Sequence, residues 1–202
     1  MKKILLLILL FTTQQAFSQV AISKDFTYTL SNPYEVVDGS KDYFTKENEI
    51  LTVKYFKGNF IFQKFSGDKM NEKKRVVVPN NLSYSFSVSH QEIDGKFYFF
   101  YSLWDKESTT ETLYVREIDF VACQFISEGR KLFSVSGKLT GGILRSGYSG
   151  GNFSILKSND ESKVLIQHRI NPENKNEKNN NIVLGLHVYD SDIKELWSID
   201  AE

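Results

Sequence analysis

From residue 20 onward the chain is a succession of short runs in which apolar and polar residues alternate or β-branched and aromatic residues cluster, and no segment offers a sustained apolar helical face. Phe26–Leu30, Ile50–Phe56, Asn59–Phe65, Arg75–Val78, Phe86–His90, Lys96–Trp104, Thr112–Ile118, Lys131–Ser136, Asn152–Leu156, Lys163–Arg169 and Ile182–Tyr189 all read as strands. Lys57-Gly58 and Asp94-Gly95 are the short polar breaks that two-residue hairpins use. The 10 Tyr and 16 Phe fit this pattern, because flat rings pack well on a pleated surface. Asn171–Asn181 (NPENKNEKNNN) has no apolar side chain to bury and reads as a surface loop. The fold class that follows is all-β.

The runs recur in a fixed order. Phe86-Ser-Val-Ser followed by Gly95-Lys96-FYFFY matches Phe153-Ser-Ile-Leu followed by Ser162-Lys163-VLIQH, each 67 positions further on. Leu113–Asp119 then matches Leu186–Asp192 at a displacement of 73. A weaker third copy runs through Ile50–Met70. The expected unit is an antiparallel four-stranded sheet, and a unit recurring every ~55–70 residues is what β-propeller blades look like in sequence. A partial blade is expected at about residues 45–80, with blades at about 84–126 and 150–200. One such sheet cannot cover both of its faces, so the units are expected to stack.

The turn SNDESKVLI (Ser158–Ile166) followed by the hairpin LHVYDSDIKELW (Leu186–Trp197) resembles blades of secreted propeller-like proteins of Bacteroidetes-type bacteria. In those, a polar turn before an apolar strand is followed by a V-[FY]-D-x-[DN]-[LIM]-x-x-[LI]-W hairpin. The resemblance implies a propeller-like core and a bacterial host. It implies no chemistry, since the motif encodes turn geometry and a core Trp. A closed propeller needs at least ~4 blades, and two and a fraction are visible here. The expectation is therefore an incomplete, open arrangement belonging to the N-terminal part of a longer protein. A β-sandwich or a barrel is the alternative.

Lys2 and Lys3, the apolar run Ile4–Phe11, and the small residues Ala16 and Ser18 come in the order of a secretory signal peptide at residues 1–18, cut ahead of Gln19. The run is far short of the ~20 residues of a bilayer span, and no second long apolar run follows, so no transmembrane anchor is expected in the mature domain, residues 19–202. The expected address is the periplasm, the outer surface or the medium. Twenty-five basic residues balance 25 acidic ones, which argues against nucleic acid as a partner. Cys123 is the single cysteine, so no internal disulfide can form, and its place in FVACQFI reads as buried packing.

Four groupings bear on chemistry. Gly147-Tyr-Ser149-Gly-Gly151 satisfies G-x-S-x-G, with Asp160 and then His168 or His187 downstream in hydrolase order. The elbow needs a helix after the serine, and Asn152-Phe-Ser-Ile-Leu reads as a strand, so the motif is expected to be a connection. Asp190-x-Asp192-x-x-Glu195 lacks the frame of a calcium loop and reads as a hairpin turn. His168 and His187 fall on strands expected to be neighbours, but no carboxylate or cysteine joins them in sequence; they are read as ordinary strand histidines, with no metal or other cofactor assigned. Tyr98, Tyr101 and Trp104 lie in the densest aromatic stretch, read as core on both faces of a sheet and, alternatively, as a platform for a sugar or peptide.

The function expected from these readings is an exported, non-enzymatic binding or scaffold module whose partner is an unidentified protein or glycan. The alternatives are an exported serine hydrolase using Ser149 and a glycan-binding domain.

Overall fold

The computed structural model describes residues 21–23, 26–27, 42–67, 69–79, 85–137, 139–140, 152–170 and 183–201. Residues 1–18, expected above to be a signal peptide, Ser149 with its glycines, and the Asn-rich loop lie outside them. Every regular element among the described residues is a strand. Beyond a short pairing of β1 (Ala21–Ser23) with β2 (Phe26–Thr27), the strands form three antiparallel sheets, none closed into a barrel.

The first sheet is a meander of β3 (Asp42–Lys46), β4 (Glu49–Phe56), β5 (Asn59–Ser66) and β6 (Asn71–Pro79). In the second, β7 (Ser85–Ile93), β8 (Lys96–Asp105) and β9 (Thr110–Asp119) run in order, and the far edge of β9 carries β10 (Gln124–Phe125) and β11 (Arg130–Ser136) in succession. The third has β14 (Lys163–Ile170), β15 (Val183–Asp190) and β16 (Glu195–Ala201), with β12 (Leu139–Thr140) and β13 (Phe153–Lys157) sharing the free edge of β14. Each sheet is thus a four-strand meander, and in two of them an outer strand is broken in two.

The short hairpins follow their turn chemistry. Lys57-Gly58 and Asp94-Gly95 both take positive φ at their two central residues, which gives the turn whose twist matches the flanking strands. The sequence match of β8 to β14 holds at 67 positions. The turn-closing aspartates Asp119 and Asp190 correspond at 71 rather than 73. A difference of two leaves every side chain on the same face.

The sheets stack through β8. Phe97, Phe99 and Tyr101 point to one side, where they meet Phe44, Leu51, Val53, Phe60 and Phe62 of the first sheet. Tyr98 and Phe100 point to the other, against Phe153, Val164, Ile166 and Tyr189 of the third. The middle sheet is therefore covered on both faces, which explains why β8 abandons alternation for the continuous run FYFFY. Cys123 is fully buried in the first of these cores, and burial pushes its thiol pKa up, in keeping with a packing role.

Phe99→Ala and Phe100→Ala remove core rings on opposite faces of one strand, and each is expected to lower unfolding free energy by ~3–5 kcal/mol. Trp104→Ala, at a partly exposed position on the same strand, is expected to cost under about 1 kcal/mol. Urea denaturation followed by far-UV circular dichroism measures all three.

Candidate functional site

In the seam between the second and third sheets, two histidines and a carboxylate come together among apolar side chains. His168 on β14 pairs in register with Gly185 on β15, and Gly185 pairs with Asp200 on β16. One row across the third sheet therefore reads His, Gly, Asp. His187, two residues beyond Gly185, lies on the same face. All of these face the second sheet, as do Val164, Ile166 and Tyr189.

Gly185 makes the row possible. A Cβ there would lie 1.9 Å from the His168 ring, so the imidazole occupies the space that any other side chain would fill. His168 is 1% exposed, whereas the Asp200 side chain is 62% exposed at the rim. The His168 Nε2 to Asp200 Oδ1 separation is 3.9 Å, too long for a hydrogen bond. One donor atom from each of His168, His187 and Asp200 lies within 4.8 Å of the others.

Aromatic rings hold the imidazoles. Phe133 of β11 stacks on His187 at 3.7 Å between ring centroids, and the two histidine rings stack at 5.4 Å. Phe153 meets His168 edge-on at 6.0 Å. No described residue hydrogen-bonds to any of the four ring nitrogens. A buried polar atom left in that state costs about 1–3 kcal/mol. Burial, reinforced by His187, lowers the His168 pKa to about 4, and burial lowers that of His187 as well. Both rings are therefore neutral at pH 7, the form in which imidazole donates a lone pair.

The equivalent positions of the second sheet hold ordinary core. Tyr101 corresponds to His168, and it stacks on its register partner Tyr114 at 5.3 Å. The third sheet thus has donor side chains where its neighbour has stacked rings.

Asp200 is the residue that sequence reasoning missed. The spacing of His168 and His187 places them on paired strands, but the carboxylate arrives through a bulge at Leu196: Tyr189 pairs with Glu195, whereas Val188 pairs with Trp197. That one-residue shift turns Ser198 and Asp200 toward the histidines and Trp197 and Ile199 to the opposite face. A carboxylate near the end of the last strand is the signal that was present, and its face could not be read without the bulge.

The other sequence candidates take these places. Ser149 lies outside the described residues, and a strand, β13, follows it within four residues where an elbow needs a helix. The Asp160 carboxylate accepts hydrogen bonds from Ser158 Oγ at 2.6 Å and Ser162 Oγ at 2.8 Å, so it caps its own turn and orients no histidine; those bonds hold its pKa at about 2. Tyr98 and Tyr101 are buried on opposite faces of β8, so they form no platform, and Trp104 alone of that trio is exposed, at 39%. Burial pushes the Tyr98 hydroxyl pKa up to about 12, and that hydroxyl donates to the Ser191 carbonyl at 3.0 Å. Asp190 Oδ1 accepts from the backbone N–H groups of Asp192 and Lys194, as expected of a hairpin turn. Outside those candidates, Asn152 donates to buried Glu111 across the seam at 2.6 Å.

The opposite face of the third sheet carries an apolar strip toward β15 and β16, beside Lys163, Gln167 and Arg169 of β14. Leu165, Leu186 and Val188 lie there, half-buried, beside Trp197 and Ile199, which are 50% and 53% exposed.

These features define an all-β protein of three stacked antiparallel meander sheets, open like successive propeller blades. Among the described residues no helix is long and apolar enough to cross a membrane. No family model and no curated protein matches the chain. Among solved structures it is similar to an endo-arabinase from Bacteroides thetaiotaomicron VPI-5482, at 14% identity and a TM-score of 0.44, over 78% of this chain and 61% of that one. The chain thus spans less than two thirds of that protein's length.

The buried histidines make stability depend on pH. The unfolded His168 takes up a proton near pH 6.5, the folded one only near about 4. Between those values the unfolded state binds more protons, so stability is full above the window and falls as pH drops through it. The groups facing this ring are His187, Asp200, Phe133 and Phe153. In the presence of EDTA, unfolding free energy is expected to fall by about 2 kcal/mol between pH 7 and pH 4.5. His168→Gln is expected to remove most of that slope in urea titrations.

Proposed function

We propose that this chain is an exported, non-enzymatic binding or scaffold module, and that it works through the outer face of its third sheet, by packing against an apolar sheet face of a protein partner. The observation that carries this reading is the contrast between two sheets of one build. The middle sheet is packed on both faces by its neighbours. The third sheet buries its inner face but on the other leaves Trp197 and Ile199 half in solvent next to Leu186 and Val188. Twice in this molecule such a face is covered by another meander sheet, so a further sheet of that kind is the surface that fits it.

Export is supported by the order of Lys2, Lys3, the Ile4–Phe11 run, Ala16 and Ser18. The non-enzymatic reading is supported by the placement of Asp160, which caps a turn, and by His168, which faces a packed seam beside Asp200. The hydrolase alternative needs the first of these to orient the second.

Three measurements test the proposal. The mass of the exported protein is expected to match a chain beginning at Gln19; an uncleaved chain retained in the cytoplasm would overturn the export reading. A photo-crosslinking residue at position 199, introduced in the producing cell, is expected to link a single protein species through a strand of that partner, while one at Lys157 is not. Binding of the purified partner is then expected to weaken about ten-fold or more in Trp197→Glu, since aromatic anchors carry most of the energy of such interfaces. Absence of a crosslink at 199, or affinity unchanged by Trp197→Glu, would overturn the binding-face reading.

A further inference from the structure

We propose that His168, His187 and Asp200 form a binding site for one divalent first-row transition ion of the zinc class, set in the seam between the second and third sheets. This site is on the opposite side of the third sheet from the proposed binding face and stands independently of it.

The donor set selects the metal. Two imidazoles and one carboxylate suit zinc, nickel or copper, while calcium and magnesium require a shell of oxygens that this seam does not offer. The geometry accommodates it. Donors on a tetrahedral ion with bonds of about 2 Å lie about 3.3 Å apart, so Asp200 Oδ1, now 3.9 Å from His168 Nε2, closes by about half an ångström to share an ion with it. His187 offers its donor within 4.8 Å of both and needs to move inward. His168 is fixed by burial, and Asp200, at the exposed rim, is free to adjust and marks the route by which an ion enters.

The surroundings fit a ligand set better than a packing set. The imidazole nitrogens have no hydrogen-bond partner among the described residues, so their lone pairs are available inside an apolar seam. Phe133 and Phe153 hold the rings and shield them on the protein side. Gly185 clears the space between His168 and Asp200, at the position where the second sheet has Tyr114 stacked on Tyr101. Three protein donors leave one tetrahedral position for water, which makes the site a three-ligand one rather than a closed structural cage.

The test uses the mature protein, stripped with chelator and titrated with zinc chloride by isothermal calorimetry. One equivalent per chain is expected, with a rise in thermal midpoint at saturating zinc. Cobalt(II) in its place is expected to give the visible absorption of a tetrahedral centre. Asp200→Asn changes an exposed side chain and leaves the fold intact, and it is expected to weaken zinc about ten-fold or more. His187→Gln is expected to do the same, and Asp160→Asn, at an exposed carboxylate elsewhere, to change nothing. In ¹⁵N spectra the His168 Nε2 resonance is expected to move on zinc addition. Absence of stoichiometric zinc binding would overturn the proposal. So would zinc binding that survives both Asp200→Asn and His187→Gln, since the ion would then sit on other groups.

Discussion

The architecture depends on one strand having no exposed face. Between Phe97 and Tyr101 every side chain of β8 is buried, odd positions against the first sheet and even positions against the third. A strand with that pattern cannot lie at the surface of a two-layer fold, because either face left in water would expose several rings. It forces a third layer. The first seam is the more aromatic: Phe60 meets Phe99 at 5.1 Å and Phe125 at 5.0 Å, and Phe62 meets Phe125 at 5.2 Å. The second seam has fewer rings and includes Glu111, which accepts from Ser102 and Asn152, and two histidines.

Turns lock the seams in place. After β9 the chain closes on Asp119, whose carboxylate accepts from the Val121 and Ala122 N–H groups, and Cys123 follows with φ of 58° and no exposure. After β15 it closes on Asp190, and Ile193 likewise has φ of 58° and no exposure. Each left-handed residue inserts its side chain into the core it shares with the preceding sheet. A branched side chain at positive φ is strained by roughly 1–3 kcal/mol, and burial against the neighbouring sheet offsets that. Lys74 donates to the Ala122 carbonyl in the first seam, and Arg130 and Tyr98 donate to Ile193 and Ser191 carbonyls in the second. The turns therefore set how one sheet sits on the next.

Much of this is legible in the sequence, for a stated reason. Strands are local: alternation and the dipeptides Lys57-Gly58 and Asp94-Gly95 settle where they start and turn. The stacking is legible too, because FYFFY has no polar face. What is not legible depends on pairing. The broken edge strands β10–β11 and β12–β13 share a partner, and nothing within two-residue segments such as Gln124-Phe125 or Leu139-Thr140 says so. The aromatic platform at Tyr98 and Tyr101 fails because neighbouring residues on a strand point to opposite faces, and here both faces are covered.

The bulge at Leu196 shows how far a single register shift can reach. Had the pairing of Tyr189 with Glu195 continued without it, Gly185 would face Ile199 and Asp200 would point away from His168. The seam would then have gained an isoleucine beside two neutral imidazoles, and Asp200 would have interrupted the apolar outer face. With the bulge, carboxylate and histidines meet on the inner side while Trp197 and Ile199 gather on the outer one. One inserted residue thus separates two surfaces of opposite chemistry on a strand only seven residues long. The donor row and the apolar face are consequences of the same backbone irregularity, and neither is encoded by residue type alone.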